Sequence, residues 1–320
     1  MNPHATTNAI ALPRTAARTE TPPVNALPMN TGSGAGEGSL RLEIVFAKPE
    51  SIASLGAHVV GPNLDVACAL GQGSWWFLRR EDGWHLHLDR AGRRHVPLSL
   101  NKLVERGVVQ YWTQDTSCQS SSGSEHEARP EPGTGFGAVS CAGIGPGSGL
   151  DLHRADSRGS LAYLRQLHPM PEASRPLLRT RHVVGVLARA VCRAAGLDHA
   201  TAADVLDTLA RRSAGGLDES SRFRAHGLAE VLTLLWRVPV SKALGSSITP
   251  WATDLAMAAR SLAAATRDGD LPAAEHAPYL QGQLARGLAA QWDRLGLPAT
   301  DQTILAVATR DALRTTRRAS

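Results

Sequence analysis

Aromatic residues are scarce in this chain, at 4% of 320 positions, while hydrophobic residues reach 42%. A core can therefore be buried, but most of it must be Ala, Leu and Val, which favour close helix packing over an aromatic-rich sheet. Lysine is nearly absent: Lys48, Lys102 and Lys242 are the only ones, so arginine dominates the 34 basic residues. The formal charge of +5 permits an acidic partner without requiring one. The four cysteines, Cys68, Cys118, Cys141 and Cys192, include no Cys-x-x-Cys pair, which argues against a zinc site or a disulfide framework. No apolar stretch approaches the length of a membrane span, and the N-terminus lacks a secretory signal's charged start and apolar run. These absences leave a protein with no membrane partner, expected in the cytoplasm.

Large apolar residues are also few in residues 1–39, which are rich in Thr, Ala, Pro, Asn and then Gly. Such a segment cannot offset its ordering entropy and reads as a disordered leader. Acid is sparse there too, with Arg14 and Arg18 ahead of the first carboxylate, Glu20. That pattern resembles transit peptides and the leaders of secreted bacterial effectors, so a secreted effector is the alternative localisation.

Residues 40–115 read as a β-rich module. Leu40, Leu42, Ile44 and Phe46 alternate with Arg41, Glu43 and Val45. The run Trp75-Trp76-Phe77-Leu78-Arg79 is followed by the turn Glu81-Asp82-Gly83, then by Trp84, Leu86 and Leu88 alternating with His85, His87 and Asp89. A second turn at Arg90-Ala91-Gly92 leads to Val96 and Leu98, which predict a third strand of a meander. A short helix over 99–106 stopped by Gly107, and a last strand over 108–112, follow.

Residues 116–157 are rich in Ser, Pro and Gly and read as a linker. From 158 to 320 the period is helical. Gly196, Gly216 and Gly296 act as stops, and Thr249-Pro250 as an N-cap and first helical position. The fold class is therefore α+β, a small N-terminal antiparallel β-rich module followed by a larger all-α helical domain. The short connections predict an antiparallel bundle or array.

The densest chemistry in the sequence is His85-x-His87-x-Asp89. In a strand these three side chains share a face, and they are the candidate metal ligands. The string resembles the ligand run of metallo-β-lactamase-type hydrolases, departing from it where Arg90 stands in place of a further His. The same meander loosely resembles the β-half of papain-like cysteine peptidases through Trp75-Trp76 and Asp89, but Ser74 occupies the position of that family's His. Residues 187–233 faintly resemble the HU/IHF family of DNA-bending proteins, through Leu187 to Leu197 and through Ala202, Val205 and Leu206. That resemblance implies a strand and a Gly-Phe-Gly turn near Phe223 and Gly227, where the sequence reads better as helix.

Arginines cluster at Arg179 and Arg181, at Arg211 and Arg212, and at Arg222 and Arg224, without interleaved aromatics. No complete catalytic constellation and no cofactor motif accompanies them. The expectation is a non-enzymatic regulatory or interaction protein that binds a macromolecular partner, protein or nucleic acid, through these six arginines. The alternative is an exported effector or a metal-dependent hydrolase with its site in the β-rich module.

Overall fold

The computed structural model describes residues 40–89, 91–114, 148–167, 177–211, 216–269 and 271–319. Strand β1 (Leu40–Phe46) leads into a helix that starts as α1 (Ile52–Leu55), passes through a π-helical turn over Gly56–Val60 and ends as α2 (Gly61–Gly71). Strands β2 (Trp75–Arg79) and β3 (Gly83–Leu88) form a hairpin, and helix α3 (Val96–Glu105) precedes β4 (Val109–Gln114). The sheet order is β2-β3-β1-β4, with every described pairing antiparallel. The expected α+β class with an antiparallel β module is what forms, but the simple meander is not. The chain-first strand β1 sits between β3 and β4, pairing Ile44 with Trp84 on one side and with Trp112 on the other.

The predicted strand at Val96 and Leu98 is a helix. Pro97 lies in the first turn of α3, and Val96, Leu100 and Leu103 are buried at helical spacing while Leu98 is exposed. Gly107 takes the left-handed conformation, φ 67°, that releases the chain into β4.

Period-2 alternation sorts the sheet into two faces. Leu42, Ile44, Phe46, Trp75, Phe77, Trp84, Leu86 and Leu88 point one way and bury against α1, α2 and α3. Four of the chain's few aromatics, Phe46, Trp75, Phe77 and Trp84, gather here. Trp84 stacks on Phe77 at 4.1 Å and meets Phe46 edge-on at 5.3 Å. The opposite face carries Arg41, Glu43, Trp76, His85 and His87.

The helical body follows: α4 (Ser148–Leu167), α5 (Leu177–Ala194), α6 (His199–Ala210), α7 (Glu219–Leu235), the short α8 (Val240–Leu244), α9 (Thr249–Asp268), α10 (Ala273–Arg294) and α11 (Ala299–Ala319). Its core is built largely from Leu, Val and Ala, as the composition requires. Asp198 caps α6 by accepting from the Thr201 amide at 2.7 Å, and Gly196 and Gly296 stop α5 and α10 at φ 79° and 70°. At the start of α9 the expected hydroxyl cap does not form; the Thr249 hydroxyl donates instead to the Gly245 carbonyl at 2.7 Å. Helix α4 begins at Ser148, ahead of the expected helical onset near 158. Its buried face mixes Leu152 with His153, Asp156 and Ser157, so no hydrophobic period marks it.

Residues Gly38–Ser320 form one compact unit. Sheet and helices meet where the outer edge of β2 is covered by α4 and α10. The Phe77 amide donates to Ser157 Oγ at 3.3 Å, and the Phe77 carbonyl accepts from Arg294 Nε at 2.7 Å. An exposed strand edge invites pairing with another chain, and these side chains close this one. Among the described residues no helix is long and apolar enough to cross a membrane.

Candidate functional site

The junction of β2, β3, α4 and α10 holds a continuous run of polar and aromatic side chains. His87 stacks on Trp76 with ring centroids 3.7 Å apart, and Trp76 stacks on His153 of α4 at 4.8 Å. Arg294, the last residue of α10, reaches His153 Nδ1 with Nη2 at 3.2 Å and pairs with the Asp156 carboxylate through Nη1. Gln291 Nε2 donates to the other Asp156 oxygen at 2.8 Å. All of these groups are buried, with Arg294 only 1% exposed.

Buried charge is tolerated only when paired and hydrogen-bonded, and Arg294 meets that condition with three acceptors, two on α4 and one on β2. Burial pushes the Asp156 carboxyl above its ordinary range, against the pull of Arg294 and Gln291. Burial also drives His153 far below the usual imidazole value, and the Arg294 guanidinium acts in the same direction. With Arg294 as the donor, His153 Nδ1 must be the unprotonated acceptor, so geometry and electrostatics both give a neutral imidazole.

This sets the sign of one pH effect. The folded His153 stays neutral while the unfolded imidazole binds a proton below about pH 6.5. His153 therefore makes no pH-dependent contribution at neutral pH, and stability falls as pH drops through that value. By pH 5.5 the expected loss is about 1.4 kcal/mol. Urea unfolding of the protein and of a His153→Gln variant at both pH values isolates this contribution. Parallel pH dependence in the two proteins would remove His153 as its source.

The same sheet face continues from the buried junction toward solvent. His85, two residues before His87, is half-buried; its Nδ1 lies 2.7 Å from Arg41 Nη2 and its Nε2 lies 3.8 Å from the Glu43 carboxylate. An imidazole held between a guanidinium and a carboxylate at a partly open position has the makings of a general acid–base group.

The sequence-derived metal ligands are placed as follows. His85 and His87 do share a face, but His85 engages Arg41 and Glu43 while His87 stacks under Trp76. Asp89 accepts from both the amide and the hydroxyl of Ser74, each at 2.6 Å, and so fastens the end of the hairpin. Among the described residues no group of three or more His, Cys, Asp or Glu is arranged to hold a metal ion.

The candidate arginines are also dispersed. Arg181 is buried and paired with Asp301 of α11. Arg211 is exposed and bonds the Asp207 carbonyl at 3.3 Å, Arg224 bonds Ser221 Oγ at 2.9 Å, and Arg222 is exposed on α7. The side chain of Arg179 and the whole of Arg212 lie outside the described residues. Sequence reasoning missed Arg294, Asp156, His153 and Gln291. Arg294 precedes a helix-stopping Gly and looks like an ordinary C-terminal arginine, and the α4 pair borders a Gly-rich stretch.

A small antiparallel sheet with one edge sealed by a helical body defines an α+β architecture that a solved structure shares. Over 90% of its length the chain is similar to the tRNA dependent lantibiotic dehydratase MibB from Microbispora sp. 107891, with a TM-score of 0.58 and 17% identity. The match covers 29% of MibB, so this chain spans less than a third of that protein. It is also similar to TsrL, with a TM-score of 0.49, 15% identity, and coverage of 88% of this chain and 96% of that one. No family model and no curated protein matches the sequence.

The likeness to MibB corrects the expectation of a non-enzymatic regulatory or DNA-binding interaction protein: the fold is one that an enzyme uses. The arginines behind that expectation are in part structural. Arg181 neutralises a buried carboxylate, and the segment resembling the HU strand is the continuous helix α7.

Proposed function

We propose that this chain is an enzyme, or one part of an enzyme, that acts on a peptide by acid–base elimination at the open half of the sheet face around His85. The observation that carries this reading is the fold shared over 90% of the chain with part of a dehydratase. The neighbour's dehydration supplies the reaction class. A base takes the proton on the carbon next to a peptide carbonyl, an oxygen leaving group departs with its electron pair from the next carbon, and a double bond forms between them. His85 accepts that proton at Nδ1, the lone pair to which Arg41 donates in the resting protein, as Arg41 turns from the ring to the substrate carbonyl oxygen. Arg41, 2.7 Å from the His85 ring, lies where it stabilises the negative charge that develops on the carbonyl oxygen. The buried Trp76–His153–Arg294 assembly borders this face along β2 and holds it in place.

The chain spans less than a third of MibB, and His85 and Arg41 account for the elimination alone, not for activating the leaving group. The test bypasses that step. Purified protein is incubated with a panel of synthetic peptides whose Ser or Thr hydroxyls already carry an acyl ester, and mass spectrometry reads loss of the corresponding acid. Elimination is expected with the wild-type protein and is expected to fall by roughly 10²–10⁴-fold in His85→Ala, the usual contribution of a positioned general base. No acceleration over buffer for any peptide, or an unchanged rate in His85→Ala, would overturn the reading.

A further inference from the structure

Away from the sheet, α5 and α9 leave a groove between them. Its volume is about 490 Å³, and it lies largely open to solvent. The floor is made of small apolar side chains at helical spacing: Ala190 and Ala194 on α5, and Ala252 and Ala256 on α9. Thr249 and Thr253 add to the same wall. Their hydroxyls are already bonded to the carbonyls of Gly245 and Thr249, at 2.7 and 3.0 Å.

The charged side chains lining this groove are Arg193, from α5, and Arg260, from α9. Among the described residues no carboxylate pairs with either, and no acidic side chain lines the groove. A helix C-terminus accounts for an arginine in the last turn, as at Arg193, but not for Arg260, which lies well inside α9. The second cleft on α5 is different. It also contains Arg193, but Asp198 and His199 line it, and its Arg189 is turned to the Trp236 carbonyl at 2.8 Å with its guanidinium over the Trp236 ring.

We propose that the α5–α9 groove binds a small organic anion with an apolar body. The alanine rows receive the body, and Arg193 and Arg260 hold the carboxylate or phosphate from opposite walls. This inference stands apart from the elimination chemistry proposed at His85, and neither depends on the other.

Isothermal titration of the full chain with octanoate, octyl phosphate and octylammonium tests it. Both anions are expected to bind and the cation not to, with the tighter anion distinguishing a carboxylate source from a phosphate source. Arg193→Gln and Arg260→Gln, both at exposed positions, are each expected to weaken anion binding roughly tenfold. Ala256→Leu fills the groove and is expected to abolish binding with the charges intact. Absence of anion binding at millimolar concentration, equal binding of octylammonium, or affinity unchanged in the arginine double variant would each overturn the proposal.

Discussion

Replacing Arg294 by Leu is expected to destabilise the protein by about 3–5 kcal/mol, the cost of removing one partner of a buried ion pair. The guanidinium satisfies the Asp156 carboxylate, the His153 ring nitrogen and the Phe77 carbonyl at the edge of β2. Its removal strands the ring nitrogen and the carbonyl and leaves the Asp156 carboxylate without a counter-charge, with Gln291 still donating to it, where water does not reach. Arg294 and Asp156 side chains are 0% and 3% exposed. The leucine also ends the polar contact that fixes the sheet edge to α10, so the loss reaches beyond one helix. The double variant Arg294→Leu with Asp156→Leu separates pairing from packing. With both charges gone, no carboxylate is left uncompensated, and the double variant is expected to be more stable than Arg294→Leu alone. Urea unfolding at pH 7 measures both. A loss below about 1 kcal/mol in the single variant would show that the pair is hydrated and contributes little.

The same pair marks the limit of what the sequence reveals. Strands β1 and β3 were legible from period-2 alternation, and β2, apolar on both faces, from the Glu81-Asp82-Gly83 turn that follows it. Gly107, Gly196 and Gly296 were legible as stops because each adopts positive φ. The helix expected over 99–106 forms as α3 but starts three residues earlier, at Val96, because Val96 and Leu98 match a period of two over too short a window. Val96 belongs to the same buried stripe as Leu100 and Leu103, which only the longer window shows. The strand order was not legible either, because β1 pairs with strands distant in sequence and nothing local specifies that.

At the candidate site, His85 and His87 stood out, since two histidines on one strand face are visible from spacing alone. Their real partners were not. Arg41 and Glu43 come from a neighbouring strand, and His153, Asp156 and Arg294 come from helices far along the chain. A core built partly from paired polar residues interrupts the hydrophobic period that sequence reading depends on. The same interruption hid the start of α4 and the buried charge pair where the sheet edge meets the helical body.

On the other face of the sheet, Trp84→Ala is expected to cost about 3–5 kcal/mol, the range for emptying an aromatic site in a packed core. Trp84 is 2% exposed and lies among Phe46, Trp75 and Phe77, so the cavity would open inside the main aromatic cluster. The fourth contact makes the argument specific. Gly56, at the start of the π-helical turn, packs against the indole so closely that a Cβ there would lie 2.2 Å from Trp84 Cζ2. Its backbone is ordinary right-handed helix, φ −60° and ψ −50°, so space rather than conformation demands the glycine. Two consequences of opposite sign follow. In the native protein Gly56→Ala forces the ring and the turn apart and is destabilising. In the Trp84→Ala background the clash is gone, the added methyl fills part of the cavity, and the helical preference for Ala over Gly contributes up to about 1 kcal/mol, so the same substitution becomes stabilising. Urea unfolding of the two single variants and the double variant completes the cycle. A Gly56→Ala effect of the same sign and size in both backgrounds would show that the turn does not rest on the indole.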